Sequence, residues 1–228
     1  MIGGIQTGAG TAITVNAGQS DRIVLRGLTI DGIGQGGTDI SFVAGGALYI
    51  ENCTVDGFSS YGILFSPANS GSLFITDGVV RNNGVSGVGG GILIKPSGAA
   101  SAKAVLTGVI VENNTFGVRA DGSASTGSVN VTVKDGSVSG NTNSGIISVS
   151  VSGGAVTQAL VSGTTISNNG FGVRADGAIA TLRFGNTDIN GNGTGMSIAN
   201  GGQLLSYATN HVDGNIVDGS NPPVIPTK

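Results

Sequence analysis

Cysteine, charge, histidine and long apolar runs are all scarce in this chain, and each scarcity closes off a class of function. The single cysteine, Cys53, excludes a disulfide framework and a cysteine metal site. Charged residues make up 10% of the chain against a usual ~25%, so the surface has to be covered by Ser, Thr, Asn and Gly. Net charge is −3 with no basic run, which leaves nucleic-acid binding without an electrostatic footprint. No stretch approaches ~18 uninterrupted apolar residues, so no membrane span is expected. Three of the five prolines, Pro222, Pro223 and Pro226, crowd the C-terminal end. Residues 221–228 are therefore expected to end the fold rather than extend a sheet.

Glycine is abundant instead: 43 of 228 residues, about 19% against a usual ~7%. No collagen period accompanies it. What repeats is a pair of apolar residues five positions apart: Leu25/Ile30, Ile50/Val55, Ile75/Val80, Leu106/Val111, Val133/Val138, Val161/Ile166, Phe184/Ile189 and Tyr207/Val212. Successive pairs lie 23 to 31 residues apart. Constant spacing inside the unit and variable spacing between units means strict strands joined by elastic loops, the pattern of a solenoid. In this register Cys53 aligns with Leu28, Gly78 and Val109 and is expected to be a buried, inert thiol.

Each unit carries three short strands. In the unit opening at Leu73, Leu73 and Ile75 alternate with Phe74, Val80 opens a second strand, and Gly91 to Ile94 form a third. Asn82-Asn83-Gly84 makes the turn between the last two. The expected fold is all-β: a right-handed parallel β-helix of about eight to nine coils, forming one domain over residues 1–220. Asn83, Asn114, Asn141, Asn169, Asn192 and Asn215 all fall three residues after a β-branched core position, so they should stack as an internal asparagine ladder. The chain opens almost inside a coil, with no leader or capping helix in view. A longer secreted chain, with a targeting segment outside this sequence, is the expectation.

The runs LTGVIVENNTFGVRADG and LVSGTTISNNGFGVRADG resemble bacterial right-handed parallel β-helix repeat proteins of the pectin-lyase-like superfamily. The resemblance covers Ile13 to Asn215. It implies the fold, but not one activity, because such proteins include lyases, hydrolases, epimerases, tailspikes and adhesins. The hydrolases of that superfamily carry NTD, DD, GHG and RIK motifs. Only the first has a counterpart, Asn186-Thr187-Asp188, and the register gives Asp188 the neighbours Thr165 and His211 rather than a second carboxylate.

Several outward positions are candidates for function. The repeated FGVRADG places Arg119/Asp121 and Arg174/Asp176 on one face, two coils apart with Ile147 between them. They read either as a site for an acidic sugar or a partner carboxylate, or as local salt bridges. Asp188 and His211 share an outward ladder and read as a surface ion pair. So do Asp31, Asp56, Arg81 and Glu112, with Arg81 compensating its neighbours; Asp31 beside Asp56 could hold a cation only weakly. Thr29, Thr54 and Thr165 share a ladder, but Val79, Ile110 and Ser137 interrupt it, against an ice-binding array. Val24, Tyr49, Phe74 and Val105 form an outward apolar stripe, an expected interface. Leu64, Leu93 and Ile147 form another. The segments Pro67–Ser72, Ser97–Lys103 and Asp121–Val129 fall along one edge, where they could cover such stripes.

Two functions fit. One is a non-catalytic extracellular or surface β-helix, serving as scaffold, adhesin or self-assembling module, with other copies of itself as partner. The other is a carbohydrate-active enzyme or carbohydrate-binding module for acidic polysaccharide. No cofactor and no metal are called for by the residues.

Overall fold

A computed structural model of the chain describes residues 3–85 and 88–226. It is an all-β parallel solenoid of about eight turns with three strands per coil. First strands stack into an eight-stranded sheet, second and third strands into two nine-stranded sheets. Among the described residues no helix is long and apolar enough to cross a membrane.

The register follows the repeat. Ile23, Leu48 and Leu73 are directly paired in the first-strand sheet, as are Leu25, Ile50 and Ile75. Ile30, Val55 and Val80 are paired in the second-strand sheet. Leu48, Leu73, Val55 and Val80 are buried, and the interior is one apolar column running the length of the molecule. Cys53 belongs to it, fully buried.

The six asparagines form one hydrogen-bonded column. Each Oδ1 accepts twice from the preceding Asn: Asn83 donates to Asn114 from N and Nδ2, both at 3.0 Å. The same pair of bonds joins Asn114 to Asn141, Asn141 to Asn169, Asn169 to Asn192 and Asn192 to Asn215 at 2.8–3.1 Å. The amides also donate to backbone carbonyls, as Asn114 Nδ2 does to Val80 O at 3.1 Å. Buried donors and acceptors at every bend are thereby satisfied.

This column explains a second one. Gly62, Gly91, Gly117, Gly145, Gly172 and Gly195 open the third strands. None needs a left-handed backbone; what they need is room. A Cβ on Gly145 would lie 2.9 Å from Asn169 Nδ2 and 2.8 Å from Gly172 O. Corners after the first strand do need positive φ: Asn52 (51°), Asp77 (51°), Gly108 (64°), Asp135 (55°) and Gly163 (59°) take that place in turn.

The proline-rich tail adds no strand to the three sheets and makes one isolated bridge to the end of the first-strand sheet, where Ser206 N donates to Pro223 O (3.0 Å) and Ile225 N to Ser206 O (2.8 Å). Prolines flank this bridge but supply only a carbonyl to it, so their missing N–H costs nothing there. The stripe of Leu64, Leu93 and Ile147 is not an exposed one: Leu93 and Ile147 are 5% and 8% exposed. Arg119 lies between them in register and Arg174 follows Ile147, so arginine stems shield them.

Candidate functional site

The third-strand sheet brings the two FGVRADG copies together. Val118 and Ala120, like Val173 and Ala175, fill the core, so strand alternation turns the arginines outward. Pairing runs Arg119 to Ile147 to Arg174 across two coils, roughly 10 Å. A cavity of about 180 Å³ lies among Phe116, Arg119, Ile147, Arg174 and Asp176, with the polar edge of Asn143 and Ser144. Each guanidinium sits over its own aromatic ring, Arg119 at 6.0 Å from Phe116 and Arg174 at 5.0 Å from Phe171.

The two copies are not equivalent. Asp121, expected to face solvent, is buried. The chain turns back over it, and Ser123 N donates to its Oδ1 at 2.9 Å. Its Oδ2 receives Arg119 Nε (3.0 Å) and Nη2 (2.8 Å), with Lys95 Nζ at 3.6 Å. Burial pushes this carboxyl up, but hydrogen bonds from Ser123 and the charges of Arg119 and Lys95 outweigh it, holding it below its ordinary range. Arg119 is thus largely committed to a structural pair. Arg174 is less so: Nη2 donates to Asp176 Oδ2 at 3.0 Å, while Nε is buried with no partner. Asp176 is steadied by Asn200 Nδ2 at 2.6 Å.

The apolar stripe lies on the first-strand sheet. Val24, Tyr49, Phe74 and Val105 are consecutive partners across four coils. Tyr49 and Phe74 stack at 4.8 Å with 14° between ring planes. Both rings are partly exposed, and Val24 at the end of the row is 52% exposed. The edge loops stack on one another, as where Ser97 N donates to Pro67 O and Gly98 N to Ala124 O.

The remaining candidates are surface pairs. His211 Nδ1 lies 2.8 Å from Asp188 Oδ1, with side chains 88% and 53% exposed and Thr165 as the other neighbour of Asp188. Arg81 bridges Asp56 (2.8 Å) and Glu112 (3.9 Å). Asp31 beside Asp56 accepts Ile33 N at 2.7 Å. Among the described residues no three His, Cys, Asp or Glu side chains gather as they would to hold a metal ion.

Two features escape a reading along the chain. One is Asp39. It is wholly buried, neither oxygen has a partner, and burial raises its pKa to about 8. Because Ile40 pairs with Ile63, Asp39 stands where the next coil has Gly62, in the glycine column. Aligning the third strands through Ile40 would have exposed it. The other is a gathering of cations on the first-strand sheet by residues far apart in sequence. Compared with known proteins, the chain has no significant match to any family model, any curated protein or any solved structure.

Proposed function

We propose that the protein is a non-catalytic β-solenoid scaffold that acts by self-association, at the cell surface or outside the cell. The observation that carries this reading is the Tyr49–Phe74 stack, two partly exposed rings side by side on the outer face of the first-strand sheet. A solenoid that leaves an aromatic pair partly exposed has a face suited to another surface. The carboxylates also favour a non-catalytic role, since Asp188 has Thr165 and His211 beside it rather than the second acid that glycoside hydrolysis uses. Kinship with the pectin-lyase-like superfamily, and with it the extracellular placement, belongs to the same proposal. It rests on the coil pattern and the repeated FGVRADG.

Light scattering tests the reading. Wild type is expected to form higher-mass species as concentration rises, and Tyr49→Ser/Phe74→Ser to weaken this at least tenfold. Tenfold corresponds to ~1.4 kcal/mol, less than full burial of one aromatic side chain contributes. A wild type that stays monomeric at every concentration removes the proposal.

A second reading has one observation in its favour, the partnerless Arg174 Nε beside the cavity between the arginines. It is a site for a carboxylate, on an acidic sugar or a partner. Calorimetric titration with galacturonate oligomers would show saturable binding, lost in Arg174→Met.

A further inference from the structure

The solenoid sorts its charges by face. On the outer surface of the first-strand sheet stand Arg22, Arg26, Lys103, Lys134 and Arg183, all outward by alternation with neighbours that pack on the core. The acid among them is Glu51, paired with Arg26 at 2.6 Å. Five cations against one carboxylate leave +4 on the strands, reduced at their ends by Asp21, Asp77 and Asp135, the last 3.7 Å from Lys134. The outer surface of the second-strand sheet is the reverse. Asp31, Asp56, Glu112 and Asp188 lie on it, with Asp213 just past its last strand and Arg81 as its cation. Five acids against one arginine leave −4.

The two faces also match coil by coil. Arg22 shares its coil with Asp31, Lys103 with Glu112, and Arg183 with Asp188. These are the first, fourth and seventh coils, about 14 Å apart at ~4.8 Å per coil. The apolar residues fall in step too: Phe74 shares its coil with Val79, and Val105 with Ile110, which is 42% exposed. Glu51 and Asp56 share a coil with like sign, but each is already neutralised by Arg26 or Arg81.

We propose that the basic face of the first-strand sheet docks on the acidic face of the second-strand sheet of a second copy, axes parallel and coils in register. This rests on the self-association reading and names its partner surface. A basic face against a basic face would set cation against cation, so the contact is between unlike faces. Such a contact leaves a free face on each copy and propagates sideways into an open array. The second-strand face is the narrower one, three residues wide over most of its length. Eight coils at ~4.8 Å and three residues at ~3.3 Å give a contact of roughly 34 by 10 Å, which buries on the order of 700 Å² over the two faces. That is the size of a weak, reversible contact, in which charge complementarity rather than area supplies the specificity.

Sedimentation of wild type and two charge-reversed variants tests this. Wild type should assemble beyond a dimer at about 0.05 M salt and at least tenfold more weakly at about 1 M, where screening falls to ~3 Å. Lys103→Glu/Arg183→Glu and Glu112→Lys/Asp188→Lys should each stay monomeric alone and assemble when mixed in equal amounts. If either reversed variant fails to fold, judged by circular dichroism, its neutral form, Lys103→Gln/Arg183→Gln or Glu112→Gln/Asp188→Asn, should assemble at least tenfold more weakly. If Glu112→Lys/Asp188→Lys assembles as wild type does, the unlike-face contact is wrong while self-association stands. A wild type monomeric at low salt overturns both. In that case, binding of heparin by the basic face would assign it to a polyanion instead.

Discussion

Replacing Asp39 by glycine should stabilise the protein, and the gain should depend on pH. The carboxyl has an ordinary pKa of 3.8 and one of about 8 in the folded chain. Below the lower value both folded and unfolded chains hold the proton, and the residue contributes no pH dependence. Between the two values the unfolded chain is ionised and the folded one is not, so stability falls as pH rises. Above the upper value the loss is complete. At 1.36 kcal/mol per pH unit the penalty is on the order of 4 kcal/mol at pH 7 and 6 kcal/mol above pH 8. The structural cause is specific: Asp39 replaces a glycine in a column that faces the amides of the asparagine ladder. In the next coil the ladder position is Phe58, whose N–H donates to Asn83 Oδ1 and whose ring offers no hydrogen bond.

Asp39 lies in an early coil, and solenoids fray coil by coil. The observable loss is therefore capped by the cost of opening the first coils alone. Hydrogen exchange is the sharper assay. The amide of Asp39 donates to Tyr61 O at 2.9 Å and that of Ile13 to Asp39 O at 2.8 Å, and both should lose protection as pH rises from 4 to 8, after correction for intrinsic exchange. In Asp39→Gly that pH dependence should vanish while the middle coils stay unchanged. Parallel pH profiles for wild type and Asp39→Gly would refute the reasoning.

Asn141→Ala should cost about 2–5 kcal/mol in denaturant unfolding, because it leaves Asn114 N without its acceptor in the interior and takes the Asn141 Nδ2 donor from Val111 O and Ser139 O. Gly117→Ala should lower the melting temperature much more than Gly153→Ala. The first Cβ would lie 2.5 Å from Gly145 O and 2.7 Å from Val138, whereas the second meets nothing within 4 Å and costs only the backbone term of φ 74°, roughly 1 kcal/mol.

The fold was legible because its determinants are periodic. A core position five residues after another, repeated eight times, leaves little choice but stacked strands, and the register drawn from Ile30, Val55 and Val80 is the observed one. The asparagines were legible for the same reason. Their consequence for glycine was not. Nothing along the chain says that Gly117 and Gly145 are there to make room for amides rather than to bend the backbone. The burial of Asp121 was hidden as well. Strand alternation turns it outward correctly, but alternation knows nothing of Ser123, where the chain folds back over the carboxylate and supplies a hydrogen bond.

The basic face was the least legible, and the reason is topological. A basic cluster is normally sought as a run along the chain, and here none exists. Arg22, Lys103 and Arg183 are separated by about eighty residues at each step, yet they stand on one face because every coil returns the chain to the same sheet. In a solenoid the meaningful neighbour of a residue is one coil away, not one position away. Charge of one sign can therefore be concentrated while the sequence looks dilute and the net charge stays at −3. Low overall charge sharpens the effect: with only 10% charged residues, three cations on one face and three acids on the same coils of another make up much of what a neighbouring molecule meets. A lateral array built this way responds to salt first, because its contacts are exposed pairs within reach of screening. Its apolar stripe at Tyr49 and Phe74 then sets how much association survives when the charges are silenced. Wild type in about 1 M salt and Tyr49→Ser/Phe74→Ser at low salt should consequently each retain part of the association. Only the double-ring variant in high salt should lose all of it. If high salt alone reduces wild type to monomer as completely as the ring changes do, the stripe adds nothing to the charges.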